Sequence, residues 1–356
     1  MTAERVKVGF IGGGAISELH SRGYPDNPTG ELYAVADLEP GLARERANQW
    51  GAQKAYTDYR ELLADPQIDA VEILLPHHLH LPVTLEALAA GKHVSLQKPM
   101  AISMDEGRQI AAAAASSDRV FRVFENYRTY EPYMRARSMI EAGEIGNPVS
   151  IRIKSIFGKG KGGRPMSDRE MEWREDPARG GPAWMILDYG FHITSIITYF
   201  MGPVETVHAM ADTSAGTDRF PGAPAVISWK HRDSERYGNW DMLTLPEFMV
   251  RTSYYPVDEW LEVTGTRGVI WVTHCTADLL GQPPVVMYRD GEMRSYSDME
   301  TDWGDSFRLG AHAFTGAIVD GTQPELDGEE AVHALAFAVG AIKSAVEGRE
   351  VKLREL

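Results

Sequence analysis

The segment VGFIGGGAISELH, residues 8–20, decides how the first third of the chain is read. An apolar run passes straight into three consecutive glycines and out again into the start of a helix. Gly12 and Gly14 occupy the first two glycine places of the pattern G-x-G-x-x-G. A glycine at 12 permits the tight turn, and one at 14 lets the backbone approach a pyrophosphate at the positive end of a helix. The third place holds Ser17, small enough for close helix–strand packing. Glycine-rich turns also serve plain structural ends, but a strand before and a helix after supply the context that dinucleotide binding needs. Gly12, Gly14, Ala15 and Ile16 are candidate cofactor contacts.

The alternation continues outward from this loop. Strand-like runs at 6–11, 31–37, 70–76, 93–98 and 120–126 alternate with helical patterns at 15–22, 40–51, 58–65, 82–92 and 104–117. That order predicts an α/β, doubly wound parallel sheet with helices on both faces. The character changes near Tyr127. Residues 131–146 read as helix, 148–157 as an alternating strand, and 158–181 as a long loop rich in glycine and charge. A helix over 183–202, a β-rich stretch to about 295 and a closing helix over 328–348 follow. The expectation is a dinucleotide-binding domain over 1–126. An α+β domain over 127–356, built on a large and mainly antiparallel open sheet, would bind substrate and join subunits.

Asp37 ends the second strand at the distance from the glycine loop where a carboxylate can accept from adenosine ribose hydroxyls and repel a 2′-phosphate. Leu38, Glu39 and Pro40 follow it with no arginine, which favours NAD over NADP. A capping aspartate before the helix at 40 is a compatible alternative. The run LLPHHLHLP (74–82) ends the third strand at the sheet edge where cofactor lies. Leu75, Pro76, His77 and His80 are therefore cofactor-side candidates, and His78 reads as a solvated loop residue. Three histidines invite a metal reading, but no cysteine or acidic cluster stands beside them, and no metal is expected.

In HVSLQKPMA (93–101) a strand of buried character stops at Gln97-Lys98-Pro99, because proline cannot donate to a sheet ladder. Lys98 is thereby held at the cofactor edge, and its bond to Pro99 is a candidate for the cis form. In LDYGFHITS (187–195), Asp188 and His192 stand four apart and share a face if the segment is helical. A carboxylate beside an imidazole is a common acid–base unit, although structural pairs look the same in sequence.

The bulk composition narrows the partners. The chain has 356 residues, of which 24% are charged, and a formal net charge of −15. Such a charge repels nucleic acid and anionic membrane surfaces. Cys275 is the single cysteine, so an intrachain disulfide is impossible and a reducing compartment fits. The N-terminal residues lack the pattern of a secretory signal and no apolar run is long enough to span a bilayer. The expectation is a cytoplasmic protein with no nucleic-acid or membrane partner.

Taken together, these pieces resemble the Gfo/Idh/MocA family of oxidoreductases, which includes glucose–fructose oxidoreductase and inositol dehydrogenase. The match is carried by the Gly12/Gly14 loop with His20, Pro76 and His80 as P-x-x-x-H, AGKHVSLQKPMA (90–101), and DYGFH (188–192). Asn126-Tyr127-Arg128, GEIGNPVSIR (143–152), VTGTRGVIWV (263–272) and SAVEGREVKL (344–353) also fit, so the resemblance covers essentially the whole chain. It implies hydride transfer between NAD and a carbinol carbon of a sugar or polyol, in a homodimer or homotetramer joined through the open sheet. It implies Lys98, Asp188 and His192 as catalytic residues, with Gln97 and Lys98 also near the cofactor. Trp173 and Arg174 resemble an element that lines the cofactor–substrate cleft, and Tyr127 and Arg164 are further candidates for substrate, as are Lys98, Asp188 and His192. Two departures stand out: Gln97 replaces the glutamate before the lysine, and Ser195 replaces an acid three residues after the histidine. An NAD-dependent glycoside hydrolase working by transient oxidation and elimination, and a non-catalytic dinucleotide sensor, remain as alternatives.

Overall fold

The computed structural model describes residues 5–161, 167–212 and 222–356, the side chain of Arg169 excepted. The chain divides into two compact units. One takes the chain up to Thr129 together with Gly304–Leu335; the other takes Tyr130–Trp303 and Ala336–Leu356.

The first unit is built on a parallel sheet of six strands: β1 (Val6–Ile11), β2 (Gly30–Ala36), β3 (Lys54–Tyr56), β4 (Ala70–Ile73), β5 (His93–Gln97) and β6 (Phe121–Phe124). Their spatial order is β3-β2-β1-β4-β5-β6, the arrangement of a doubly wound dinucleotide-binding sheet. The connecting helices are α1 (Ser17–Ser21), α2 (Pro40–Trp50), α3 (Tyr59–Ala64), α4 (His80–Ala89) and α5 (Met104–Ala115). Ser103 caps α5 by accepting from the Glu106 N–H, and Asp58 caps α3 in the same way. Strand interiors are buried on both faces, so β4 and β6 read as nearly unbroken apolar runs. A further helix over Asp305–Asp320 packs on this unit, with Ala311 and Phe314 joining Val8, Phe10 and Val35 in one core.

The second unit carries a nine-stranded sheet. It begins with α6 (Glu131–Glu141) and β7 (Pro148–Lys161), followed by short helices α7 (Asp168–Glu175) and α8 (Pro177–Gly180). A π-helical turn over Met185–Tyr189 then runs into α9 (Gly190–Met201). The remaining strands are β8 (Val204–Ala211), β9 (Ala225–His231), β10 (Tyr237–Arg251), β11 (Val257–Gly265), β12 (Gly268–Val272), β13 (Val285–Arg289), β14 (Glu292–Tyr296) and β15 (Val351–Lys352). Their order is β14-β13-β12-β11-β7-β10-β9-β8-β15, antiparallel throughout except for the parallel pair β7–β10. Register puts Met210, Val226, Tyr237, Tyr288 and Met293 on one face of this sheet, and all are exposed.

The expected fold class holds, with corrections of detail. β3 and the helix Asp305–Asp320 were not anticipated. The long loop expected over 158–181 is in part regular: β7 continues to Lys161, and α7 opens on a capping box in which Ser167 and Glu170 exchange bonds. The helix expected over 183–202 starts as a π turn. No helix among the described residues is long and apolar enough to cross a membrane.

Candidate active site

Because β1, β2, β4 and β5 are parallel, their C-terminal ends share one edge of the first unit. That edge gathers the glycine loop, Asp37, Leu75-Pro76 and Lys98. Gly12 has φ +108°, and a Cβ there would lie 2.4 Å from the carbonyl oxygen of Leu74. Only glycine fits such a turn. At Gly14 a Cβ would meet nothing within 4 Å, so the loop presents bare backbone to open space. Ser17 is buried, and its hydroxyl donates back to the Gly14 carbonyl. Asp37 accepts from the N–H of Gly13 at 2.9 Å and of Glu39 at 3.0 Å, one bond to each carboxylate oxygen. Each oxygen keeps a second lone pair for a ribose hydroxyl. Leu38 is 85% exposed beside it, while Ala15, Ile16, Leu75 and Pro76 are half-buried. An uncovered glycine backbone, an acceptor with spare capacity and exposed apolar flanks fit a dinucleotide.

The histidines after β4 serve the fold more than the sequence suggests. His80 is buried, with Nδ1 2.9 Å from the carbonyl oxygen of Pro99 and Nε2 2.9 Å from that of Leu75. It ties the end of β4 to the turn after β5. His77 is buried too, and His78 is half-buried in a 3-10 turn rather than a solvated loop. The Lys98–Pro99 bond is cis, and Lys98 is half-buried at the strand end. Behind it the Lys98 N–H donates to Oε1 of Gln97 at 2.7 Å. Nε2 of Gln97 lies 2.8 Å from Nε2 of His20, whose Nδ1 meets Glu72. Tyr24 donates its hydroxyl to the other oxygen of Glu72. Burial would raise the Glu72 carboxyl, but His20, Arg122 and the Tyr24 bond outweigh it and hold it below its ordinary value. Burial lowers Arg122 to about 10. Tyr127 is 1% exposed, inside this unit.

In the second unit, Asp188 lies in the π turn and His192 in the first turn of α9, both buried. Nε of Arg174 donates to Oδ2 of Asp188 at 2.9 Å, and its Nη1 donates to the Glu170 carbonyl at 3.0 Å. The guanidinium stacks 4.2 Å over the ring of Trp173. Tyr189 faces the opposite way: its hydroxyl donates to Glu259 at 2.7 Å and lies 2.8 Å from the Ser155 hydroxyl, which also takes the Trp240 N–H. A Cβ on Gly190 would approach the Trp240 ring to 3.3 Å, so that position stays small where helix meets sheet. The π turn thus sends successive side chains to two anchors, Asp188 to Arg174 and Tyr189 to the sheet. Ser195 is fully buried. Arg164 lies outside the described residues.

Several participants were not foreseen. Arg46 on α2 donates from Nε to the Gly13 carbonyl at 3.3 Å and pairs with Glu18 at 2.7 Å, so an arginine does flank the glycine loop. Glu72 and Arg122 complete the array behind Lys98; a charge inside an otherwise apolar strand was the available signal.

Residues 6–125 match the model of an oxidoreductase family's NAD-binding Rossmann fold, and 137–353 match that family's C-terminal alpha/beta domain. The myo-inositol 2-dehydrogenase of Thermotoga maritima is 26% identical, with 99% of each chain covered. The levoglucosan dehydrogenase of Pseudarthrobacter phenanthrenivorans is 29% identical over 59% of this chain and 55% of its own. An oxidoreductase from Agrobacterium radiobacter, solved with NAD+, L-tartaric acid and magnesium, has the same fold with a TM-score of 0.84, 20% identity and 99% of both chains covered.

Proposed function

The chain belongs to the Gfo/Idh/MocA oxidoreductase family and carries its NAD-binding domain, and from that premise we propose an NAD-dependent dehydrogenase of a sugar, polyol or related hydroxyl compound. The observation that carries the reading is Lys98. It is the one lysine at the end of β5, on the same sheet edge as the Gly12–Gly14 loop and Asp37. The relatives named for inositol and levoglucosan oxidation support the substrate class.

The backbone of Gly12–Gly14, with Ala15 and Ile16, would hold the pyrophosphate; Asp37 would take the ribose hydroxyls; Leu38, Leu75 and Pro76 would flank the adenosine. NAD, when bound, supplies the hydride acceptor. Oxidising a carbinol carbon also requires the hydroxyl proton to leave. In the proposed reaction His192 would accept that proton at a ring nitrogen, and Lys98 Nζ would stabilise negative charge developing on the substrate. Asp188, held by Arg174, orients the histidine or the substrate. Trp173 and Tyr127 complete the proposed set. The open face bearing Met210, Val226 and Met293 supports self-association as a homodimer or homotetramer.

A spectrophotometric screen of aldoses, inositols, anhydrosugars and sugar acids tests the reading, with NAD and NADP run side by side. NADH should accumulate with a free sugar or polyol, and Lys98→Ala should lower kcat/KM by roughly 10²- to 10⁴-fold. Aglycone release without net NADH would replace the reading by the hydrolase. Turnover untouched by Lys98→Ala would end the proposed mechanism.

A further inference from the structure

The buried array behind Lys98 fixes its own proton positions. The Lys98 backbone N–H can only donate, and Oε1 of Gln97 receives it at 2.7 Å. That contact turns the amide NH2 toward Nε2 of His20, 2.8 Å away. An amide NH2 cannot accept, so Nε2 must offer its lone pair. The ring proton therefore sits on Nδ1, where Oε2 of Glu72 receives it. The other Glu72 oxygen receives the Tyr24 hydroxyl. Reversing either bond of the His20 ring sets two donors face to face.

Charge balance points the same way. His20 is 1% exposed and ringed by Phe10, Phe124 and Phe307, with centroids 6.3, 4.3 and 5.2 Å away. The ionisable groups acting on this pocket are Glu72, Arg122 and Tyr24. Burial first, then Glu72, keeps the Tyr24 phenol protonated. One carboxylate and one guanidinium already balance here, so a neutral imidazole adds no unpaired charge to the pocket.

We propose that His20 is a positioning residue for Lys98, acting through the Gln97 amide as the neutral Nδ1-protonated tautomer, and that Gln97 enforces that tautomer. Gln97 is the coupling piece: one end grips the Lys98 backbone and the other is locked by His20. A carboxylate at 97 would accept at both ends, and the pocket would then need a second proton on His20 to stay balanced. The functional half of this inference rests on the reading of Lys98 above; the tautomer does not.

Long-range 1H–15N correlation spectra of the full-length, histidine-labelled protein decide it, with His20 assigned by His20→Phe. The wild type should show Nδ1 protonated and Nε2 bare at neutral pH, and Gln97→Glu should show both nitrogens protonated. An imidazolium or an Nε2–H tautomer in the wild type would overturn the proposal, as would a neutral ring in Gln97→Glu. Gln97→Met, matched in length, should lower kcat roughly 10- to 100-fold by releasing Lys98, with the calorimetric Kd for NAD held within about twofold. An unchanged kcat would overturn the positioning role. The wild-type spectrum needs no stable Gln97 variant, and a silent Lys98→Ala would sink the catalytic reading while leaving the tautomer result standing.

Discussion

Arg174 holds Asp188 by a bond from Nε to Oδ2 at 2.9 Å, with side-chain exposures of 19% and 6%. The partner of the site's buried carboxylate is thus an arginine from α7, fourteen residues upstream. If the pair works as a unit, its members should not be additive. Arg174→Met and Asp188→Asn should each lower kcat/KM, and the double variant should fall little below the worse single. The cycle should return a coupling of about 1–3 kcal/mol. Independent, additive losses would mean that Arg174 does something other than hold Asp188.

Two glycines of the same loop should fail differently. Gly12→Ala meets a left-handed φ of +108° and the Leu74 carbonyl, so it should cost about 1–3 kcal/mol of stability in urea unfolding. Gly14→Ala meets nothing within 4 Å, so unfolding should be nearly unchanged. Its methyl instead occupies the ground proposed for the pyrophosphate, and the Kd for NADH measured by fluorescence should rise roughly tenfold. Normal NADH affinity in Gly14→Ala would place the phosphates elsewhere.

Asp37→Ser should weaken NAD and improve NADP, shifting the ratio of their kcat/KM values by at least about tenfold. Arg46, already beside Gly13, supplies a cation for the 2′-phosphate once the carboxylate is gone. The double-variant control is simple: adding Arg46→Leu should remove the NADP gain without restoring NAD. A wild type that prefers NADP would contradict the role given to Asp37.

His231 gives stability a pH dependence of known sign. Its Nε2 accepts the Trp229 indole N–H at 2.9 Å and its Nδ1 faces the Gly202 carbonyl at 2.9 Å, so the buried ring is neutral. Burial, chiefly, pushes it down from 6.5 to about 4. The unfolded chain therefore takes up a proton below about pH 6.5 that the folded chain refuses until about pH 4. Stability is lost as pH falls through that window. Between pH 7 and 5 the wild type should lose about 2 kcal/mol more than His231→Gln in parallel denaturant titrations. Equal losses would remove His231 as the cause.

What could be read from sequence was what is local in the chain. The glycine loop, Asp37 and the lysine before proline each announce themselves within a dozen residues, and the parallel sheet follows from alternation. β3 escaped because Lys54–Tyr56 is three residues long with no buried position. The helix Asp305–Asp320 has apolar residues at helical spacing, but Gly310 reads as a break. It is glycine because Phe124 packs within 2.6 Å of where its Cβ would be, a fact written far away in the chain. The site divides likewise. Lys98, Asp188 and His192 stand out in sequence; the array behind Lys98 does not, because His20 and Gln97 are 77 residues apart and His20 and Glu72 are 52 apart.

The recruitment of Gly304–Leu335 into the first unit sets a schedule for synthesis. Ala311 and Phe314 complete the core that Val8, Phe10 and Val35 begin, so the earlier-made strands wait for residues made much later in translation. At ribosomal speeds of about 5–20 residues per second, that wait lasts roughly 10–40 s. During it an unfinished sheet face stays uncovered, and the second unit is made while the first is incomplete. A truncated chain ending at Thr129 should therefore behave as a chaperone client, not as a free-standing nucleotide-binding module.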